Sequence, residues 1–294
     1  SIQKVHQSYG RAYQLPNSTA HNETCANIGN MLFNWRMLQV SGEARYADIL
    51  ETALYNSVLS GVSLDGKRFF YTNPLRISND FPYTLRWPKE RQEYISCFCC
   101  PPNTVRTLTE AQNYSYSAST DGIWCHLYGG SELNMPYRNG QLQIRQTTEY
   151  PWEGLISIVI EEVPGESDFA VRLRIPGWFT SGTVRINGKK TGIELKADSY
   201  ASVERSWKSG DKIELEFDMP VQLIESNPLA EETRNQVVVK RGPVVYCLEG
   251  IDTGGAPIDN VLIPSDIKLK AVPYELAGSR IIALEGRAKV SGGA

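Results

Sequence analysis

The chain has 294 residues, 41% of them hydrophobic, and 30 basic against 33 acidic side chains for a net charge of −3. That length suffices for about two domains with cores of their own. The interleaved charges and the lack of a Lys/Arg run exclude a nucleic-acid-binding patch, and no stretch of about 18 apolar residues exists to span a membrane as a helix. The start shows no charged segment followed by an apolar one, so no secretory signal is visible. Compartment stays unread, with bacterial cytoplasm and periplasm equally compatible, and a homo-oligomer is allowed but not indicated. Fifteen tyrosines and six tryptophans suit stacking on sugar faces, although such rings more often build cores.

The first 118 residues read as helical. From Thr24, the apolar residues Ile28, Met31, Leu32, Trp35 and Leu38 recur at three- and four-residue steps and predict one buried helix face. Tyr46, Leu50, Ala53, Leu54 and Val58 repeat the pattern, Ser41-Gly42 separates the two, and Gly61 is placed to stop the second. An antiparallel helical hairpin is expected. Glu51 falls inside its second helix, where a solvated face and a site role are both open. Beyond Pro101-Pro102, Asn103 is expected to cap a third helix running through Val105, Leu108 and Gln112. Cys99 and Cys100 would then lie in the loop entering that helix, where free amides favour an anionic sulfur.

From about residue 119 the period changes to two. Residues 140–146, Val171-Arg172-Leu173-Arg174-Ile175 and Lys212-Ile213-Glu214-Leu215-Glu216-Phe217 alternate apolar with polar and predict strands with one wet face. Asn187-Gly188 is a hairpin turn signal and Ser209-Gly210-Asp211 a second loop marker. Short strands between turns predict β-sandwich elements. Residues 223–294 continue with Val237-Val238-Val239 and Val244-Val245-Tyr246 in the same sheet system, then thin into a glycine-containing tail. The expected division is 1–118, 119–222 and 223–294.

Three of the six cysteines sit in Ser96-Cys97-Phe98-Cys99-Cys100-Pro101-Pro102-Asn103, with Glu23-Thr24-Cys25 upstream. A thiolate-rich set with one carboxylate suits zinc rather than calcium or magnesium. The adjacent pair does not suit a zinc finger, whose cysteines stand about two to four residues apart. Residue types alone leave open a closed structural zinc site, a reactive-thiolate site, a vicinal disulfide, or small buried hydrophobes. Cys97, Cys125 and Cys247 read as ordinary thiols, and His21 and His126 carry no pattern separating ligand from packing.

Taken in order, Tyr13-Gln14-Leu15-Pro16-Asn17, Glu23-Thr24-Cys25-Ala26, Asn34-Trp35-Arg36-Met37-Leu38, Phe70-Tyr71-Thr72-Asn73-Pro74-Leu75 and Cys99-Cys100-Pro101-Pro102-Asn103 resemble the β-L-arabinofuranosidase family. This is glycoside hydrolase family 127, related to family 146 and once known as a domain of unknown function. Weaker likeness continues through Arg174-Ile175-Pro176-Gly177-Trp178, Ser209-Gly210-Asp211 and Lys240-Arg241-Gly242-Pro243.

The resemblance implies an α+β multidomain fold, the closing helices of an (α/α)6 barrel followed by β-sandwich elements, with a large N-terminal helical portion preceding this sequence. It implies a zinc ion (Zn2+) on Glu23, Cys25, Cys99 and Cys100, with Cys99 as the nucleophile of a retaining hydrolase. The substrate implied is an oligosaccharide or plant glycan ending in β-L-arabinofuranose or a related furanose-type sugar. Glu51, Tyr71 and His6 fall in substrate-contacting regions. A thiol beside a cation ionises near neutral pH, which makes the nucleophile chemically reasonable. The family's general acid/base glutamate would fall on Gln7 of His6-Gln7-Ser8-Tyr9-Gly10, and glutamine has no proton to give. That departure keeps two alternatives open: donation by another group such as His6, and a zinc-stabilised carbohydrate-binding protein without turnover.

Overall fold

The computed structural model describes residues 10–77 and 83–291. Two compact units emerge, Pro16–Met219 and Pro220–Ala294, the latter joined by Arg11–Leu15. The first therefore holds the helices and the following sheets together, where the sequence suggests a division near residue 118.

Helix α1 (Thr24–Ser41) buries Ile28, Met31, Trp35 and Leu38, the expected stripe, while Leu32 is exposed and Asn34 is buried instead. Gly42 ends it with φ 68°, and its amide donates to the Leu38 carbonyl; that left-handed conformation is nearly free of cost only for glycine. Helix α2 (Ala44–Ala53) runs into a π turn (Leu54–Val58) and a 3-10 turn (Leu59–Gly61). The two helices share a core of Ile28, Met31, Leu38, Ala47, Leu50 and Leu54. Burying each large aliphatic side chain of this kind stabilises by about 1.5–3 kcal/mol.

Helix α3 (Cys100–Glu110) starts four residues earlier than expected, with Cys99 rather than Asn103 at its N-cap. Pro101 and Pro102 fit its first turn, where the missing N–H has no partner to lose, so Asn103 lies inside the helix rather than capping it. The buried face is Cys100, Pro101, Thr104 and Thr107, and Val105 is exposed. The apolar period misleads here because the helix turns its sulfur and hydroxyl side chains inward.

Ten strands follow in the same unit: β1 (Tyr116–Ser119), β2 (Gly122–Cys125), β3 (Ser131–Tyr137), β4 (Gly140–Thr148), β5 (Leu155–Glu162), β6 (Asp168–Ile175), β7 (Gly182–Ile186), β8 (Lys189–Lys190), β9 (Ser199–Ser206) and β10 (Lys212–Phe217). They form a four-stranded sheet, β1-β2-β6-β9, and a six-stranded sheet, β3-β4-β5-β10-β7-β8. Only β2 and β6 pair in parallel. Ile156, Ile158 and Ile160 of β5, Ile213 and Leu215 of β10, and Val171, Leu173 and Ile175 of β6 meet in one core, so the two sheets enclose a shared interior. Alternation at period two sends these residues to one face. Asn187 (φ 51°) and Gly188 (φ 78°) close the β7–β8 hairpin, as a tight turn with both central residues left-handed requires.

Strand β6 departs from the wet-face expectation. Arg174 on its outer face is completely buried because its guanidinium bonds Asp48 and Glu51 of α2. A helix lies where solvent was expected.

The second unit has β11 (Val221–Glu225), β12 (Val237–Arg241) and β13 (Val244–Tyr246) in one antiparallel sheet, β14 (Val261–Leu262) paired with β17 (Lys289–Val290), and a hairpin of β15 (Lys270–Leu276) and β16 (Ser279–Glu285). These strands pair among themselves and do not extend the earlier sheets. The expected tail contains the hairpin, turned by Ala277 (φ 50°) and Gly278 (φ 80°). Among the described residues no helix is long and apolar enough to cross a membrane.

Candidate metal and thiolate site

Two helix starts and one short extended segment build the site. Glu23 is the N-cap residue of α1 and Cys25 lies in its first turn; Cys99 is the N-cap residue of α3 and Cys100 its first residue. Neither Glu23 nor Cys99 uses its side chain to cap its helix, which leaves both free to face each other. The positive ends of two helix dipoles thus fall on one cluster and favour negative charge there. Residues 70–73 fix the spacing: Glu23 and Thr72 form a β-bridge, the Thr24 amide donates to the Tyr71 carbonyl at 3.0 Å, and the Thr24 hydroxyl donates to the Phe70 carbonyl at 3.0 Å.

One ligand atom from each of Glu23, Cys25, Cys99 and Cys100 lies within 4.8 Å of the other three. Cys25 Sγ is 3.4 Å from Cys100 Sγ, Cys99 Sγ is 3.7 Å from Cys100 Sγ, and Cys99 Sγ is 3.7 Å from Glu23 Oε1. None of Cys25, Cys99 and Cys100 is in a disulfide, and a sulfur separation of 3.7 Å is far beyond the roughly 2.05 Å of such a bond. The vicinal-disulfide alternative is thereby removed. These four groups are close enough to bind a metal ion.

Their electrostatics point the same way. Burial first, then the hydrogen bond with Cys25, pushes the Cys99 thiol up. Burial also pushes Cys100 strongly up. Three sulfurs and a carboxylate so close resist ionising together unless a cation compensates them.

Burial differs across the set. Cys100 is fully buried, whereas Cys25 and Cys99 are half-exposed. The Tyr71 ring stacks on Trp87 at 3.6 Å between centroids, and its hydroxyl is pushed up by burial and then by the nearby Cys97, Glu23 and Cys99. Cys97 is exposed, as is Cys247, and Cys125 is buried in the sheet core with its thiol pushed up to about 12 by burial.

Two groups beside the cluster are not assigned to it from the sequence. His21 Nε2 is 3.2 Å from Glu23 Oε2, and since a carboxylate only accepts, the ring nitrogen donates. The Asn103 amide donates to Cys25 Sγ at 3.0 Å. Asn103 stands one turn along α3 from Cys99, a spacing that would have revealed it had the helix start been placed correctly.

Glu51 is fully buried, and its carboxylate accepts from the Arg174 guanidinium and from the Tyr150 hydroxyl at 2.8 Å. Burial raises its pKa while Arg174, then Tyr150, draw it back down. The solvated-face alternative fails because the side chain is buried. His6 and Gln7 lie outside the described residues.

Three family models match in order: the GH127 beta-L-arabinofuranosidase catalytic domain over residues 1–113, the GH127 middle domain over 122–219, and the family 127 C-terminal domain over 221–283. A non-reducing end beta-L-arabinofuranosidase of Bifidobacterium longum subsp. longum is 33% identical over 261 residues, covering 85% of this chain and 39% of that protein. A solved structure described as a glycoside hydrolase is 60% identical with a TM-score of 0.95, covering 98% of this chain and 48% of its own. A GH127 beta-L-arabinofuranosidase from Geobacillus stearothermophilus T6 is 38% identical with a TM-score of 0.88, covering 94% and 44%. The chain thus spans less than half the length of these relatives. With catalytic, middle and C-terminal models matched in sequence along nearly its whole length, the chain belongs to glycoside hydrolase family 127.

Proposed function

We propose that this chain belongs to a zinc-dependent, retaining glycoside hydrolase that releases terminal β-L-arabinofuranose or a related furanose-type sugar from plant glycans, with Cys99 as nucleophile. In this reading residues 1–118 are the closing part of an (α/α)6 catalytic barrel, followed by β-sandwich elements over 119–222 and 223–294. The observation that carries it is an unbridged, half-exposed Cys99 inside a group of one carboxylate and three sulfurs.

The donor set fits zinc. Sulfurs sharing a tetrahedral ion at about 2.3 Å stand about 3.8 Å apart, and the measured sulfur separations are 3.4 and 3.7 Å. A bound zinc ion would supply the positive charge that keeps the thiolates ionised. Cys100 is too buried to reach a substrate, so Cys99 takes the attacking role.

The Cys99 sulfur donates an electron pair to the anomeric carbon, and the glycosidic carbon–oxygen bond breaks with its pair going to the departing oxygen, which takes up a proton. Water then attacks the same carbon, the carbon–sulfur bond returns its pair to sulfur, and two inversions leave configuration retained. Tyr71, buried in the cluster against which Cys99 packs, would help hold that sulfur in place.

Metal analysis of the full-length protein, with mass spectrometry after incubation with an aryl β-L-arabinofuranoside, tests the proposal. About one zinc per chain, release of the phenol and a pentosyl adduct on Cys99 are expected. A metal-free protein, or one without adduct and turnover, would refute it. Gln7 supports a second reading, a zinc-stabilised carbohydrate-binding protein. Under that reading sugar binds without adduct or turnover, even after Gln7→Glu. Under the first, Gln7→Glu raises turnover of a poor leaving group by roughly 10²–10⁴.

A further inference from the structure

Of the three sulfurs, Cys100 is excluded from substrate by burial, but Cys25 and Cys99 are both partly exposed. Exposure therefore does not decide which of those two reacts. Hydrogen bonding does. The Asn103 side-chain nitrogen lies 3.0 Å from Cys25 Sγ and reaches from α3 across to α1.

The orientation of that amide is set from behind. The Arg106 guanidinium, one turn further along α3, donates to Asn103 Oδ1. Arginine has no acceptor, so the oxygen end must face Arg106 and the NH2 end must face the sulfur. A donor on a thiolate draws its lone-pair density into the bond, and hydrogen bonds to charged groups are the stronger class. Cys25 is thereby held as a poorly nucleophilic ligand, while the nearest hydrogen-bonding neighbours of Cys99 Sγ are Glu23 Oε1, which can only accept, and Cys100 Sγ, each at 3.7 Å; among the described residues no amide donor stands as near to it as Asn103 does to Cys25.

Building on the reading of Glu23, Cys25, Cys99 and Cys100 as a metal site, we propose that Asn103, oriented by Arg106, is a positioning residue that reserves Cys25 for ligation and leaves Cys99 as the reactive sulfur.

The test compares iodoacetamide labelling rates at Cys25 and Cys99, peptide by peptide, in reduced, zinc-loaded full-length protein. The native chain should label Cys99 at least about tenfold faster than Cys25. Asn103→Leu should raise the Cys25 rate relative to Cys99 by about tenfold to a hundredfold, the worth of a hydrogen bond to a charged group. Chelator competition should show zinc held about tenfold more weakly, as for loss of an outer-shell partner. Arg106→Met alters only an exposed side chain and frees the amide to turn, so it should shift the ratio severalfold in the same direction; it decides the matter if Asn103→Leu does not fold. An unchanged ratio in the folded variants, or a Cys25 already as reactive as Cys99 in the native chain, overturns the proposal. Zinc content of the native protein is read separately, so failure of the metal-site reading is distinguishable from failure of the role given to Asn103.

Discussion

Replacing Arg174 with methionine should destabilise the first unit more than any surface substitution. Arg174 is fully buried, and its guanidinium bonds Asp48, Glu51 and the carbonyl of His126. Methionine fills much of the volume but leaves two carboxylates facing each other without a cation. Breaking a buried pair from one side costs about 3–5 kcal/mol, which for a unit of this size lowers the melting temperature by roughly 6–20 °C. The pH dependence has a definite sign. Burial already raises Glu51 above its ordinary 4.5 against the pull of Arg174, and removing that pull raises it further. The penalty is therefore largest where Glu51 is ionised and shrinks as it takes up a proton on acidification. Thermal unfolding of native and variant protein at pH 7 and pH 5, followed by near-ultraviolet circular dichroism, should show the wider gap at pH 7. Adding Glu51→Leu and Asp48→Asn should recover most of the loss, because the stranded charges go with the cation. A loss under about 1 kcal/mol for Arg174→Met, the range of an exposed pair, would refute the account of this contact as a buried clamp.

Three further outcomes are expected. Cys100→Ser should abolish stoichiometric metal binding and turnover together, whereas Gln7→Glu should leave metal content unchanged, both read by elemental analysis. Gly42→Ala should cost about 1 kcal/mol in denaturant midpoint, since φ is 68° there and a side chain strains that conformation. His126 is buried with its rings of contact to Trp35 and Tyr200, accepts or donates at 2.7 Å with Ser117, and has its pKa lowered to about 3 by burial and then by Arg174. Its folded value lies below the unfolded 6.5, so the unfolded chain binds the extra proton and stability falls as pH drops from about 6.5 toward 3, by up to about 1.4 kcal/mol per pH unit. His126→Gln should flatten that slope in urea titrations between pH 7 and 5; an unchanged slope would assign the acid sensitivity elsewhere.

Much of the secondary structure is legible locally. The stripe in α1, the glycine after it, the alternation in β4 and β10 and the Asn187-Gly188 turn are short-range patterns that backbone geometry reads directly. The start of α3 is misread because two prolines and an asparagine carry competing signals, and the prolines prevail by fitting the first turn. The sequence leaves Glu51 open because its environment comes from Tyr150 and Arg174, 99 and 123 residues away. Nothing near Glu51 in sequence distinguishes a buried ion pair from a solvated helix face.

The amino-acid order by itself determined which side chains are available for chemistry, a carboxylate and three thiols in two short motifs, and the periodicities that place them at helix starts. Only the tertiary structure decided that those motifs, 74 residues apart between Cys25 and Cys99, meet within 4.8 Å, that no disulfide joins them, and that the Asn103 amide reaches the Cys25 sulfur. The physical reason is that ligand geometry, desolvation and hydrogen bonding to sulfur depend on distances across the fold, and those distances follow from how α1, α3 and residues 70–73 pack, not from any one segment's sequence.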